Sequence, residues 1–462
     1  MCIRDRANSG TSSTSGNSGG ASPMVTVSSH NGIQIQHGYD IVFRDCSFTG
    51  FNNFCVDLRR CKNVLFDNCK FDKVNGLGFY DAAIRISECD NITVRDCTFS
   101  DCCTCIKVTS DSSLCSRNIK VYNNTMTYTD VGVYVDATIL DEFDFMSNTC
   151  TATRLNRDRV HMGRQLTSEV RAVIAAVYTS VGISSCKITN NRCNNMIKQP
   201  STAWSETAFW GWGDGSSYQS HVTGGNAPLV PGHEFGFYIG GLCYEYAKQY
   251  VGSVNDDGPL NNYTYYSITN NDIAAHRIGV ASKIWWNHTN NTDKTGVNGV
   301  RINDNNIVAF KGIAMIYARW NPTGVDRITW ANWQISRNNI NITWDFTWND
   351  APVASNRFAK IPGGMTFGSA HFEHGFRGNN HEENDGDYIN QWASRAMGIA
   401  LPYGYSNLEG YSLFLHGDIS DNRIGSKRGD SVPMGYTFGI MLGCLHYQLN
   451  HHRPSTWICN NR

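Results

Sequence analysis

Phe43-Arg44-Asp45-Cys46-Ser47-Phe48 sets the pattern for most of this chain: an apolar residue, two usually polar ones, a Cys or Asn, one more residue, then a second, usually apolar, residue. The unit returns over residues 66–71 with Cys69, 94–99 with Cys97 and 121–126 with Asn124. It continues over 145–150 with Asn148, 188–193 with Asn191, 268–273 with Asn271 and 302–307 with Asn305. Later copies cover 335–340 with Asn338 and 419–424 with Asn422, and a last one opens at Ile458-Cys459-Asn460-Asn461-Arg462. Starts from Phe43 to Phe145 lie 23, 28, 27 and 24 residues apart, the length of one β-coil of three short strands and their turns. Coils stacked one strand spacing apart rise by roughly 4.8 Å each. An inward Asn in every coil then bonds the Asn above and below it, which satisfies an amide that burial would otherwise leave stranded. Cys46, Cys69 and Cys97 extend that column as small buried apolar groups.

A second strand follows about 12 residues after most of these anchors and alternates apolar with polar, the period of a half-exposed strand. Val56-Asp57-Leu58-Arg59, Ile84-Arg85-Ile86, Ile106-Lys107-Val108 and Val133-Tyr134-Val135-Asp136 are examples, continued by Phe237-Tyr238-Ile239 and Val280-Ala281-Ser282-Lys283. A Gly often precedes it, at 132, 236, 279, 312, 398 and 439, where a side chain is expected to clash at a tight bend. Intervals of 43, 80 and 84 residues break the rhythm after Phe145, Ile188 and Ile335. They read as insertions near 151–182, 196–262 and 342–414, which in a solenoid map to one face, commonly the binding face. The insertions carry Trp204, Trp210, Trp212, Tyr218, Trp344, Trp348 and Trp392.

The 462 residues carry a net charge of -1 at a pI of about 6.9. That balance removes the electrostatic case for nucleic acid or an anionic membrane as the main partner. Hydrophobic residues make up 41%, yet no stretch approaches the roughly 20 apolar residues of a membrane span, so they are material for a core. The 17 Cys are scattered through a repeat rather than set at framework spacing, which reads as mostly free thiols. The opening Met1-Cys2-Ile3-Arg4-Asp5-Arg6 resembles the translated sequencing-adapter remnant seen at the edges of metagenomic reading frames, followed by Gly/Ser-rich chain. Residues 1–30 are therefore expected to be a disordered or artefactual segment and 31–462 a single repeat domain truncated at its end.

The repeat and its ladder resemble the right-handed parallel β-helix superfamily, the pectate-lyase-like fold of polysaccharide lyases, some glycoside hydrolases, phage tailspikes and bacterial surface proteins. The resemblance implies an all-β solenoid and a polysaccharide or cell-surface glycan as partner, in an extracellular, cell-surface or virion setting. A homotrimer is the expected assembly if the chain is a tailspike. There is no Gly-His-Gly of the polygalacturonases and no Trp-Ile-Asp-His of the pectate lyases.

If the second strands stack in register, Asp57, Arg85, Lys107, Tyr134, Tyr238 and Ala281 share an outward column, with Arg59, Asp136 and Lys283 in the next. Arg85, Lys107 and Tyr134 then suit β-elimination on a uronic acid: a cation neutralises the carboxylate, and Lys or Tyr moves the proton. The bland alternative is an exposed sheet face kept soluble by charge. Asp57, Arg59, Asp136, Tyr238 and Lys283 are candidates for substrate contact, with Trp210, Trp212, Trp285 and Trp286 for sugar stacking or loop packing. A hydrolase needs carboxyls about 5–9.5 Å apart, and Asp57 and Asp136, three coils apart, do not make that pair. Residues 254–258, Val-Asn-Asp-Asp-Gly, offer oxygens for Ca2+ but read first as a turn. His371-Phe372-Glu373-His374 lacks the helical spacing of a zinc site, and no metal residue is assigned. The leading expectation is a polysaccharide-binding, lyase-type protein; the alternatives are a non-enzymatic attachment module and a glycoside hydrolase.

Overall fold

The computed structural model describes residues 2–4, 32–51, 53–74, 82–109, 115–127, 129, 131–135, 139–151, 173–179, 182–183, 185–195, 233–241, 265–286, 294–319, 327–343, 396–403, 411–415, 417–427, 437–442 and 456–462. All regular structure among them is strand, and no helix among them is long and apolar enough to cross a membrane.

One coil gives the plan. Phe54–Arg59, Lys62–Asp67 and Lys70–Asp72 are its three strands, here assigned to sheets 1, 2 and 3. The two-residue corners Arg60-Cys61, Asn68-Cys69 and Lys73-Val74 join them and lead onward. In each corner the first residue is exposed and left-handed, with φ of 53°, 53° and 55°, and the second is buried. The exposed residue turns the chain, and the buried one seals the corner of the core. The same left-handed position, φ 52–58°, precedes every ladder residue from Asp45 to Asn460. Asp and Asn dominate there because their short polar side chains tolerate a conformation that costs other residues about 1–2 kcal/mol.

Successive coils pair in parallel. In sheet 1 Phe54–Arg59 pairs with Ala82–Ser87, in sheet 2 Lys62–Asp67 pairs with Asp90–Arg95, and in sheet 3 Lys70–Asp72 pairs with Thr98–Ser100. Like side chains therefore stack. The rings of Phe43 and Phe66 lie 4.7 Å apart, those of Phe48 and Phe71 4.9 Å, and those of Phe71 and Phe99 4.8 Å, all within 7° of parallel. One continuous core runs from Phe43 to Ile419.

The ladder is complete from Asn124 to Asn461. Asn148 is typical: its Nδ2 donates to Val121 O of the preceding coil at 2.9 Å and to Asn191 Oδ1 of the next at 3.2 Å. Its Oδ1 accepts from the backbone N and the Nδ2 of Asn124, each at 3.0 Å. Every donor and acceptor of a 0% exposed amide is used, so one side chain ties three coils together. The thiols copy this at lower strength: Cys69 Sγ donates to Phe43 O at 3.4 Å, and Cys69 N donates to Cys97 Sγ at 3.4 Å. The changeover is Cys97 N, which donates to Asn124 Oδ1 at 2.9 Å. The described cysteines are free.

The six glycines expected ahead of the sheet 1 strands lie within them; five serve close approach rather than a bend, while a Cβ on Gly439 would have nothing within 4 Å among the described residues. A Cβ on Gly132, Gly236, Gly279, Gly312 or Gly398 would meet a backbone oxygen of the adjoining coil at 2.5–2.8 Å, and none of the five has a positive φ. The strand Val173–Thr179 lies within the stretch expected as an insertion at 151–182 and joins sheet 1 between Val131–Val135 and His233–Gly241. Cys2–Arg4, within the segment expected to be artefactual, pairs with Ser47–Thr49 of sheet 3. Farther along the stack the coil widens. Asp272–Trp286 and Asn306–Arg319 run through the corner from sheet 3 into sheet 1, and a further parallel sheet forms from Lys294–Asn298, Arg327–Ala331 and Tyr411–Leu415.

Candidate functional site

The register brings the expected column together. Across sheet 1, Gln34 pairs with Asp57, Asp57 with Arg85, Arg85 with Lys107, and Lys107 with Tyr134. The row continues through Tyr178, Tyr238, Ala281, Ala314, Ala400 and Met441. Arg59 stands beside Ser87, which in turn pairs with Thr109, one column over. Lys283 occupies the corresponding column, paired with Gly240 and Ile316. Trp285 and Trp286 pair in backbone register with Ala318 and Arg319. Asp136, Trp210 and Trp212, the segment 254–258 and the histidine segment 371–374 lie outside the described residues.

The charged end of the row is tied together. Arg59 Nε donates to Asp57 Oδ2 at 3.2 Å, and Arg85 Nε lies 3.9 Å from Asp57 Oδ1. The Arg85 guanidinium also sits 5.1 Å from the Phe54 ring centre, and Lys107 Nζ sits 5.5 Å from that of Tyr134. Both are cation–π distances, so each of these two cations has an aromatic face beside it.

Burial changes the picture of this face. Asp57 is 1% exposed and Lys107 5%, so these two members of the outward column do not lie on a solvated surface. The Arg85 and Arg59 side chains are 15% and 34% exposed, and Tyr134 and Tyr178 are half-buried. The reachable part of the row therefore runs from Arg59 and Arg85 to Tyr134 and Tyr178, with Lys107 beneath. Tyr238 is buried and stacks on Tyr178 at 4.7 Å, and Tyr178 meets Tyr134 at 5.6 Å. Rings stacked along the axis use their faces on one another. Ala281, Ala314 and Ala400 are also buried and offer no polar group.

Tyr178 and Gln34 belong to the row and are absent from the expected set. Tyr178 lies two residues after Ala176, as Tyr134 lies two after Gly132 and Tyr238 two after Gly236. A search for any small residue at that point, rather than Gly alone, finds it. Among the described residues no group of three or more His, Cys, Asp or Glu is placed to hold a metal ion.

Residues 7–149 match the family model described as right handed beta helix region. The parallel sheets and the Asn ladder carry the same architecture on beyond the matched residues, consistent with a right-handed parallel β-helix solenoid. No curated protein and no solved structure matches the chain.

Proposed function

We propose that this β-helix binds an acidic extracellular polysaccharide along the outward face of sheet 1 and cleaves it by β-elimination. The observation that carries the reading is the unbroken register Asp57, Arg85, Lys107, Tyr134 on consecutive coils. Arg85, held by Asp57, neutralises the uronate carboxylate and so acidifies the hydrogen on the adjacent carbon. Tyr134, the more open of the two proton-transfer candidates, acts as a phenolate whose charge the Lys107 ammonium over its ring offsets, and it takes that hydrogen as a proton. The C–H electron pair forms the new C=C bond as the glycosidic C–O bond breaks, and the departing oxygen takes up a proton from the Tyr134 phenol, leaving an unsaturated sugar at one new end and a hydroxyl at the other. Arg59 and Tyr178 flank the reacting sugar. The expected setting is outside the cell or on a virion.

Lys107→Ala and Tyr134→Phe are expected to lower the rate at least about 100-fold while thermal unfolding stays cooperative. Full activity in Lys107→Ala sinks the assignment. A second reading draws on the burial of Lys107 and Tyr238: the face is packing, and the chain is an attachment module, as in a trimeric tailspike. Glycan binding with no product in any variant or in the parent supports it.

A further inference from the structure

Two corner columns stack thiols on the same two coils. Cys61 N donates to Cys89 Sγ at 3.4 Å, and Cys69 N donates to Cys97 Sγ at 3.4 Å. The residues just beyond each corner are register partners, Lys62 with Asp90 and Lys70 with Thr98. Cys61 and Cys89, like Cys69 and Cys97, therefore stand one strand spacing apart, about 4.8 Å, inside the Cα range that a disulfide spans. The two pairs bracket the sheet 2 strands Lys62–Asp67 and Asp90–Arg95 at their opposite ends.

We infer that these four thiols form an oxidisable clamp, in which a peroxide converts Cys61/Cys89 and Cys69/Cys97 into two disulfides across one pair of coils. The chemistry is directional. Hydrogen bonding from Cys89 holds the Cys61 thiol down to about 6, and hydrogen bonding from Cys97 does the same for Cys69. Their partners are pushed up, first by donating to those sulfurs and then by burial. Cys61 and Cys69 are therefore the attacking sulfurs. The Cys61 thiolate attacks one peroxide oxygen, the O–O bond breaks, and the departing hydroxide leaves as water after taking a proton, which gives a sulfenic acid. Cys89 then attacks that sulfur, its own proton leaving with the sulfenic hydroxyl as a second water. Two S–H bonds are lost, one S–S bond forms, and the peroxide is reduced. Cys69 and Cys97 follow the same course. All four sulfurs are at most 1% exposed, so reaction waits on local opening of the coils and runs slower than at a free surface thiol. Once formed, the bonds fix the spacing of the coils that carry Asp57 and Arg85.

The test is peroxide treatment of the full chain, alkylation of the remaining thiols, and peptide mapping. Crosslinked peptides joining Cys61 to Cys89 and Cys69 to Cys97 are expected, each with the loss of two hydrogens, and the midpoint of thermal unfolding rises. Cys89→Ser removes the first crosslink and leaves the second. Four alkylated thiols after treatment, stepwise oxidation of single sulfurs, or crosslinks between unstacked cysteines overturn the inference. Because mapping of the parent chain requires no variant, a poorly folding substitution does not blunt the test.

Discussion

The coils before Asn124 and those after it solve the same packing problem with different atoms. The earlier coils stack Phe and Cys inside and carry Asp57, Arg85 and Lys107 outside. The later ones stack Ile beside an Asn ladder and carry Ala281, Ala314 and Ala400 outside. A thiol column asks little of its neighbours, because an unsatisfied sulfur costs little. An amide column is stronger and less forgiving, since each Asn is both the donor to one coil and the acceptor for another. The amide ladder thus spans the longest intervals between rungs, as where Asn191 and Asn271 are 80 residues apart and still share a 2.9 Å bond.

The sharpest way to break this contrast is to remove a rung. Asn271→Ala removes the acceptor of the Asn191 backbone N–H and of one Nδ2 hydrogen, and a donor to the carbonyl of Ile188, in a dry interior. It is expected to cost about 3–5 kcal/mol in urea unfolding. Cys69→Ala at the equivalent position of an early coil is expected to cost about 1–2 kcal/mol, since it loses weak sulfur contacts and a little volume. Equal costs at the two positions would remove the distinction. Cys97→Asn extends the amide ladder by one coil toward Asn124 Oδ1 and is expected to gain about 1 kcal/mol in the same measurement.

The smallest effect belongs to the outer face of sheet 2. Asp67 accepts from Arg95 at 3.0 and 3.2 Å and from Arg44 at 2.9 Å. Arg95, then Arg44, hold its carboxyl below the usual carboxylate range. A depressed native value means the contribution is whole above the unfolded carboxylate value, near 4, and is lost as pH falls through the native one. Asp67→Asn should therefore shift the unfolding midpoint slightly at pH 7 and leave it unshifted well below pH 3. A shift that persists in acid contradicts the ion-pair account.

Much of the fold was legible because the repeat is physical before it is statistical. A Cys or Asn three residues after an inward apolar residue falls at the same corner in every coil, so reading Asn148 and Asn191 as stacked rungs required only the period. The outward row was legible for the same reason, since a strand period of two and one residue of register place Arg85 between Asp57 and Lys107. Tyr178 escaped because Ala176 stands where other coils have Gly and because a long interval precedes it. The left-handed corner residues were visible only as polar letters, for a φ near 55° has no spelling beyond a preference for Asp and Asn. Burial of Lys107 was not legible at all, because what lies over an outward column is set by tertiary packing rather than by the strand that carries it.

The central claim is that the charged end of sheet 1 acts on an acidic polysaccharide. The most direct measurement incubates the purified chain with uronate-containing and neutral polysaccharides, with and without Ca2+, while following the ultraviolet absorbance of unsaturated ends together with reducing ends. The account predicts both signals rising in step on uronate-containing polymers alone, and their loss in Lys107→Ala. Reducing ends without unsaturation contradict it in favour of a hydrolase, and silence in both channels contradicts it in favour of an attachment module.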